Sequence, residues 1–272
     1  MGADGLEPLS EFKHSRILEA GAVCEAVVVE EDTIACYVQA AWHPPVLRES
    51  DGHWAVEVAA TDDEAAAAAV RFVVSRTSNA TRWVFWARRP SDVRVAGRLG
   101  LESTRTLRKL AVRLPVEPAP SPPDGIRVTP FRPGRDEDAW IAANNAAFAG
   151  HPENGAVDRI ELARRHAQPW FDAPGLRMAW AGRRLVGSCW TKVHENGEGE
   201  IYVIGVRPEM QARGIGRFLV LEGLRYLWEE RGVTVGTLWV DDTSLGALAL
   251  YAGLGFETLH TISQYEPIDR RS

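Results

Sequence analysis

The chain lacks any apolar run approaching the ~20 residues of a membrane-spanning helix. A helical membrane protein is therefore not expected. Met1 to Lys13 does not have the charged-then-apolar order of a secretory signal and carries Asp4, Glu7 and Glu11 instead. Cysteine is scarce: Cys24, Cys36 and Cys189 are odd in number, sit among apolar residues and lack metal-ligand spacing. That argues against a disulfide framework and a structural metal, and for reduced, inert thiols in a cytoplasmic protein. A Lys/Arg block is missing too. With 31 basic and 37 acidic residues the formal charge is -6, so neither a nucleic-acid backbone nor an anionic membrane is expected as partner, and any anion site must be local.

What is there is a globular composition, 45% hydrophobic, broken by one proline-rich stretch. Leu114 to Ile126 contains Pro115, Pro118, Pro120, Pro122 and Pro123, which block helix and central-strand pairing and favour an extended spacer. The expected organisation is a domain over 1–114, a linker over 115–125 and a second domain over 126–272. After the linker the pattern predicts strands at 126–130, 176–181, 185–193, 200–206, 237–240 and 258–266. Helices are expected at 136–149, 158–167, 214–231 and 245–252. The first half repeats part of this order: strands at 25–30, 33–40, 54–59, 82–87 and 103–114, helices at 64–75 and 90–99. The echo is clearest where Arg98-Leu99-Gly100-Leu101-Glu102 matches Gly253-Leu254-Gly255-Phe256-Glu257, each before a last strand. Two related mixed α/β units in tandem follow, and they can satisfy each other's exposed sheets within one monomeric chain.

Chemistry concentrates in Glu200 to Leu221, where an apolar strand runs into a Gly-containing turn and then an amphipathic helix. Backbone N–H groups from Ala212 to Arg217 would stand at the positive end of the helix dipole, an arrangement suited to a pyrophosphate. Gly214 and Gly216 let a phosphate approach, and Arg213 and Arg217 add charge. Glycines at a turn are also commonly structural. The spacing Gln211-x-x-Gly214-x-Gly216 is not the dinucleotide fingerprint.

This segment resembles motif A of the GCN5-related N-acetyltransferases, and Val240 to Phe256, with Leu250-Tyr251 and Leu254-Gly255-Phe256, resembles the strand and helix that follow it. The resemblance implies two tandem folds of that family, each a central, mostly antiparallel sheet flanked by helices, with the N-terminal one degenerate. It implies acetyl-CoA as co-substrate and no metal. Ile204, Gly205 and Val206 would pair with the pantetheine arm through main-chain groups. Gln211, Ala212, Arg213, Gly214, Ile215, Gly216 and Arg217 would hold the pyrophosphate. Ser244, Leu245, Gly246, Ala247, Leu248 and Ala249, at the start of the next helix, would complete the cofactor side. Tyr251 would protonate the departing thiolate; packing inside the helix is its other reading. Glu200 has three readings: general base through water, binder of the ammonium, or solvated strand-end carboxylate.

A closer likeness runs in order through the second half. Asn144 to Gly155, Gln168-Pro169-Trp170-Phe171-Asp172, Cys189-Trp190-Thr191-Lys192-Val193-His194 and Gly199 to Val206 resemble the mycothiol synthase family. Its members acetylate the cysteinyl amine of a cysteine-glucosamine-inositol conjugate. That likeness implies acceptor contacts from Glu153, Lys192 and Glu200, with solvated charges as the alternative for Glu153 and Lys192. Where the family has a tyrosine on the strand before the second helix this chain has Trp239, and where it has asparagine at that helix start this chain has Ser244, another good cap. Another small amine, such as an amino sugar or antibiotic, remains an alternative acceptor. A non-catalytic acetyl-CoA sensor is opposed by the joint presence of Glu200 and Tyr251.

The first half departs further. Where a phosphate loop would follow its strand, the chain reads Ala60-Thr61-Asp62-Asp63-Glu64-Ala65-Ala66, with three carboxylates and no glycine. Those acids suit a helix start and repel pyrophosphate. The first domain is expected to bind no CoA and to shape the acceptor cleft.

Overall fold

The computed structural model describes residues 23–30, 33–43, 53–77, 82–149 and 155–268. They fall into two compact units, one made of Met1–Leu107 with Thr261–Ser272 and the other of Arg108–His260.

In the first unit β1 (Val23–Glu30) and β2 (Thr33–His43) form an antiparallel hairpin, and β3 (His53–Ala60) lies antiparallel to β2. After α1 (Asp63–Arg76), β4 (Arg82–Ala87) pairs parallel to β3 from His53↔Arg82 to Val56↔Phe85. Then come α2 (Pro90–Arg98) and β5 (Leu101–Arg113). Alternation places Cys36, Val38 and Ala40 of β2 and Val56 and Val58 of β3 in one core, under the Ala66, Ala69, Val70 and Val73 face of α1. Asp62 caps α1, its Oδ1 accepting from Glu64 N at 3.0 Å and Ala65 N at 2.7 Å. The acids expected to start a helix here do so.

The second unit contains β6 (Ile126–Pro130), α3 (Glu137–Ala147), α4 (Arg159–His166), β7 (Leu176–Ala181), β8 (Arg184–Val193), β9 (Gly199–Val206), α5 (Ile215–Glu229), β10 (Val235–Asp241), α6 (Leu245–Ala252) and the start of β11 (Glu257–Pro267). β6 to β9 form an antiparallel meander, and β10 joins β9 in parallel. β5 follows β10 in the strand order, and β11 follows β4, where Ser263↔Ala87 to Tyr265↔Phe85 pair antiparallel. The last strand of each half of the sequence thus lies beside a strand of the other half. The units consequently divide inside β5 and β11 rather than at the prolines. Gly100 and Gly255, the pair that marked the repeat, both have left-handed φ, +69° and +82°, just after α2 and α6.

The proline-rich stretch belongs to the second unit. Leu114 is in its core, Val116 packs against that core, and Ala119, Pro120 and Pro122 line a cavity of about 460 Å³ with Phe218, Arg177, Glu222 and Arg225. Glu222 of α5 is buried between two guanidiniums, accepting from Arg177 Nη2 at 2.7 Å and Arg225 Nε at 2.9 Å. Burial alone would raise its carboxyl, but the hydrogen bonds and charges of Arg225 and Arg177 outweigh that and hold it below the ordinary range. Among the described residues no helix is long and apolar enough to cross a membrane.

α5 lies close on the sheet because small residues line the contact. A Cβ on Gly223 would stand 2.5 Å from Cys189 Sγ, a side chain fully buried in β8. Helix propensity favours Gly223→Ala by about 1 kcal/mol, whereas overpacking a rigid core costs about 1–3 kcal/mol. The variant should therefore lose stability in urea unfolding, and Cys189→Ala in the same chain should recover part of the loss. A more stable Gly223→Ala single variant would show that the contact yields.

Candidate active site

β9 and β10 pair only over three positions, Gly199↔Gly236, Glu200↔Thr237 and Ile201↔Leu238. β9 then continues to Val206 and β10 to Asp241. Beyond Ile201 the parallel ladder has ended, so β9 offers that side of its main chain to an extended ligand. On the other side β9 stays paired with β8 as far as Val206↔Gly187. The register shifts between Trp190↔Val203 and Thr191↔Ile201, which makes Tyr202 the extra residue of a bulge at the level where the parallel ladder stops. Ile204, Gly205 and Val206 lie on the open stretch and are partly exposed.

The chain leaves β9 through a short 3₁₀ turn, Pro208–Met210, and enters α5 at Ile215. Ala212 has φ +59° and Gly214, the cap residue, has φ +76°; no side chain caps the helix. The first N–H groups of α5 therefore face outward at the positive end of its dipole. A Cβ on Gly216 would find nothing nearer than Val206 Cγ2 at 3.9 Å, so the space above it is open. Arg213 and Arg217 are exposed beside it, and Gln211 Nε2 donates to Val206 O at 3.1 Å, tying the loop to the strand end. These residues fit a pyrophosphate: outward donors, local cations and no side chain in the way.

At the opposite end of β9, Glu200 and Lys192 are direct register partners on one face of the β8–β9 hairpin, and both are buried. Lys192 Nζ stands 4.9 Å from the Trp170 ring centroid and 5.8 Å from that of Tyr202. Those faces offset part of the cost of withdrawing an ammonium from water. Glu200 Oε2 lies 2.6 Å from His194 Nε2. Behind Lys192 is a wall of rings: Trp190 contacts Trp140, Trp170, Tyr202, Phe171 and His166. Trp239 is half-buried on β10, one residue past the last ladder pair, with its ring 5.2 Å from His260.

Tyr251 is buried in α6, 5.6 Å from the Phe256 ring, in the core cluster against which Ile204 and Val206 pack. Burial, then the nearby Cys189 thiol, pushes its phenol above the ordinary value. Burial also pushes the Cys189 thiol up and keeps it protonated. Cys36 is likewise free and buried. Ala247 and Leu248 pack on the core while Leu245 is 75% exposed. Ser244 occupies the expected cap position of α6, but its side chain makes no capping bond. Instead Asp241 Oδ1 accepts from Thr243 N at 2.9 Å and from its hydroxyl at 2.7 Å, an Asx turn that starts the helix. Glu153 lies outside the described residues. Among the described residues no group of three or more His, Cys, Asp or Glu is placed to hold a metal.

The structure thus joins Lys192 with Glu200 and places 204–206 and 211–217 along one strand-loop-helix path. Sequence reasoning missed His194, Trp170 and Tyr202 as the side chains that meet Glu200 and Lys192. The available signal for His194 was its i+2 spacing from Lys192, which puts both on one face of an extended strand; nothing local ties Trp170 to Lys192.

Comparison with known proteins adds the following. The model of the acetyltransferase (GNAT) family matches residues 138–256. Mycothiol acetyltransferase of Thermomonospora curvata is 38% identical over 258 residues, 93% of this chain and 85% of that protein. Mycothiol acetyltransferase of Catenulispora acidiphila is 44% identical over 174 residues, which are 61% of this chain and 55% of that protein; the match spans about half of that relative. A crystal structure of a GCN5-related N-acetyltransferase from Sphaerobacter thermophilus superposes with a TM-score of 0.73 at 24% identity, over 97% of this chain and 87% of that chain. That likeness is one of fold.

The ring wall carries a pH dependence. His166 stacks on Phe171 at 4.2 Å, and its buried Nε2 has no hydrogen-bond partner among the described residues. Burial holds its value below the ordinary one, against a smaller opposing pull from Glu137. The unfolded chain then takes up the proton first, so stability is lost as the pH falls through about 6.5. Replacing His166 by Phe should shrink the drop in urea midpoint between about pH 8 and pH 5. An undiminished drop would place its origin elsewhere.

Proposed function

This chain belongs to the mycothiol acetyltransferase family, and on that footing we propose that it transfers the acetyl group of acetyl-CoA to the cysteinyl amine of a cysteine-glucosamine-inositol conjugate, giving mycothiol. The observation that carries the reading is the end of the β9–β10 ladder at Ile201, with the Glu200–Lys192 pair at its closed end and the Gly214 loop at its open end. Ile204 to Val206 would pair with the pantetheine arm, and residues 211–217 would receive the pyrophosphate at the start of α5. Leu245 and its neighbours through Ala249, beginning at Ser244, would cover the remaining cofactor side.

The amine attacks the thioester carbonyl carbon; a C–N bond forms, the C–S bond breaks, and the nitrogen's extra proton must leave. An α-amino group has an ordinary pKa of about 7.7–8.0 and is partly neutral near pH 7. Glu200 either takes from that neutral amine the one proton it must lose as the C–N bond forms, directly or through water, or binds the ammonium before it gives its first proton to solvent. Lys192 and the loop residue Glu153 would meet the polyhydroxylated acceptor. The departing thiolate takes its proton at the Tyr251 end. An ordinary phenol is about 1.5 pKa units weaker as an acid than a thiol, roughly 2 kcal/mol uphill, and burial raises Tyr251 further. Tyr251 therefore acts as a hydrogen-bond donor to the developing thiolate, and a proton it passes to the sulfur is replaced from solvent.

A second reading, another small amine as acceptor, is favoured by Trp239, which brings no hydroxyl to the strand position just past the last β9–β10 pair. The discriminating assay compares the conjugate with glucosamine, free cysteine and aminoglycosides. Turnover of an amino sugar and none of the conjugate would sink the first reading and leave acetyl transfer standing.

For the first unit we infer a supporting role, because Asp62 caps α1 where a phosphate would have to sit. Titration calorimetry should give one acetyl-CoA per chain; two would overturn this. Glu200→Gln should lower kcat about 10²–10⁴-fold, the usual range for an acid–base group, with the acetyl-CoA affinity unchanged. A loss confined to acetyl-CoA affinity would remove Glu200 from the chemical step.

A further inference from the structure

We propose that His194 is the positioning residue for Glu200: it holds one carboxylate oxygen so that the other is presented to the acceptor amine. The inference rests on the reading of Glu200 as the residue that meets that amine. The Glu200 side chain is 11% exposed and is hydrogen-bonded through Oε2, 2.6 Å from His194 Nε2. A carboxylate so far withdrawn from water needs a polar partner, and one held on a single oxygen has a fixed plane. Oε1 remains as the acceptor-facing atom.

The imidazole is itself anchored. His194 N donates to Glu198 O at 2.9 Å, and Gly197 N donates back to His194 O at 2.9 Å, closing the β8–β9 turn. Gly197 at φ +82° permits that turn, and Asn196 Oδ1 accepts from Glu198 N at 3.0 Å. Glu198 is held on both sides, by an ion pair with Lys109 and by the Thr237 hydroxyl at 3.0 Å. The turn cannot slide without breaking these bonds, and the ring it carries, 29% exposed, meets the less exposed Glu200 side chain. Lys192, the cross-strand partner of Glu200, stands over the rings of Trp170 and Tyr202. The carboxylate itself is hydrogen-bonded to the histidine.

A surface ion pair would predict something else: exposed pairs are worth little, and removing the histidine would leave turnover alone. Displacing a reacting group by a fraction of an ångström costs far more, so His194→Ala should lower kcat roughly ten- to a hundredfold. The KM for acetyl-CoA should stay unchanged, since its loop lies at the other end of β9. His194→Gln, which keeps a nitrogen donor at the same reach, should recover most of the loss. Proton NMR of the histidine ring N–H groups gives a readout that needs no substrate: one hydrogen-bonded signal should vanish in both His194→Ala and Glu200→Ala. The proposal is overturned by His194→Ala with wild-type kcat, by equal loss in His194→Ala and His194→Gln, or by a ring signal indifferent to Glu200→Ala. Failure of the wild-type chain to acetylate the conjugate would count against that acceptor alone, because kcat can be read on whichever amine is turned over.

Discussion

The arrangement around β9 depends on where its parallel ladder with β10 stops. Three residue pairs hold the strands together, and then Tyr202 is inserted as a bulge while β9 runs on. Continued pairing would bury the main chain of 203–206 in the sheet. Because it ends, the same strand has a closed end that carries charged side chains and an open end that leads into the helix start. A bulge bends and twists its strand, which is the local cause of the separation.

The two ends demand opposite environments. At the open end the glycines leave room and the first turn of α5 has donors without side-chain caps, a polar and accessible place. At the closed end Lys192 and Glu200 are withdrawn from solvent, and each has a specific partner: aromatic faces for the cation, an imidazole for the anion. Unpaired buried charges would be costly; here the partners come from the bulge, from the turn after β8 and from Trp170 beyond α4. The ring wall behind them keeps water from the ammonium's stem.

Elements with a strong local period were legible from the amino-acid order. The strands at 82–87, 126–130 and 176–181 and the helix at 245–252 fall where alternation and glycine placed them, because period-2 and period-3.6 burial leave their mark on composition alone. The glycine loop before α5 was legible for a related reason: a turn and the helix start that follows it are made by contiguous residues. Ser244 stands at the cap position of α6 as expected but makes no capping bond, since Asp241, three residues earlier, holds the turn through Thr243. The proline stretch read as a spacer, yet Leu114 and Val116 join the core, a choice decided by what lies beneath them.

The sequence by itself determined the repeat of strand–helix units, the glycine loop with its following helix, and the acidic residues that start α1 where a loop of the same kind would stand. Each is a property of adjacent residues. Tertiary structure alone decided that β5 follows β10 and β11 follows β4 in the strand order, that Tyr202 bulges, that Trp170 covers Lys192 and that His194 meets Glu200. The physical reason is the same in every case. Strand neighbours and ring contacts are chosen by competition among distant segments for the same ladder and the same buried surface, and such a competition leaves no trace in any one stretch of chain.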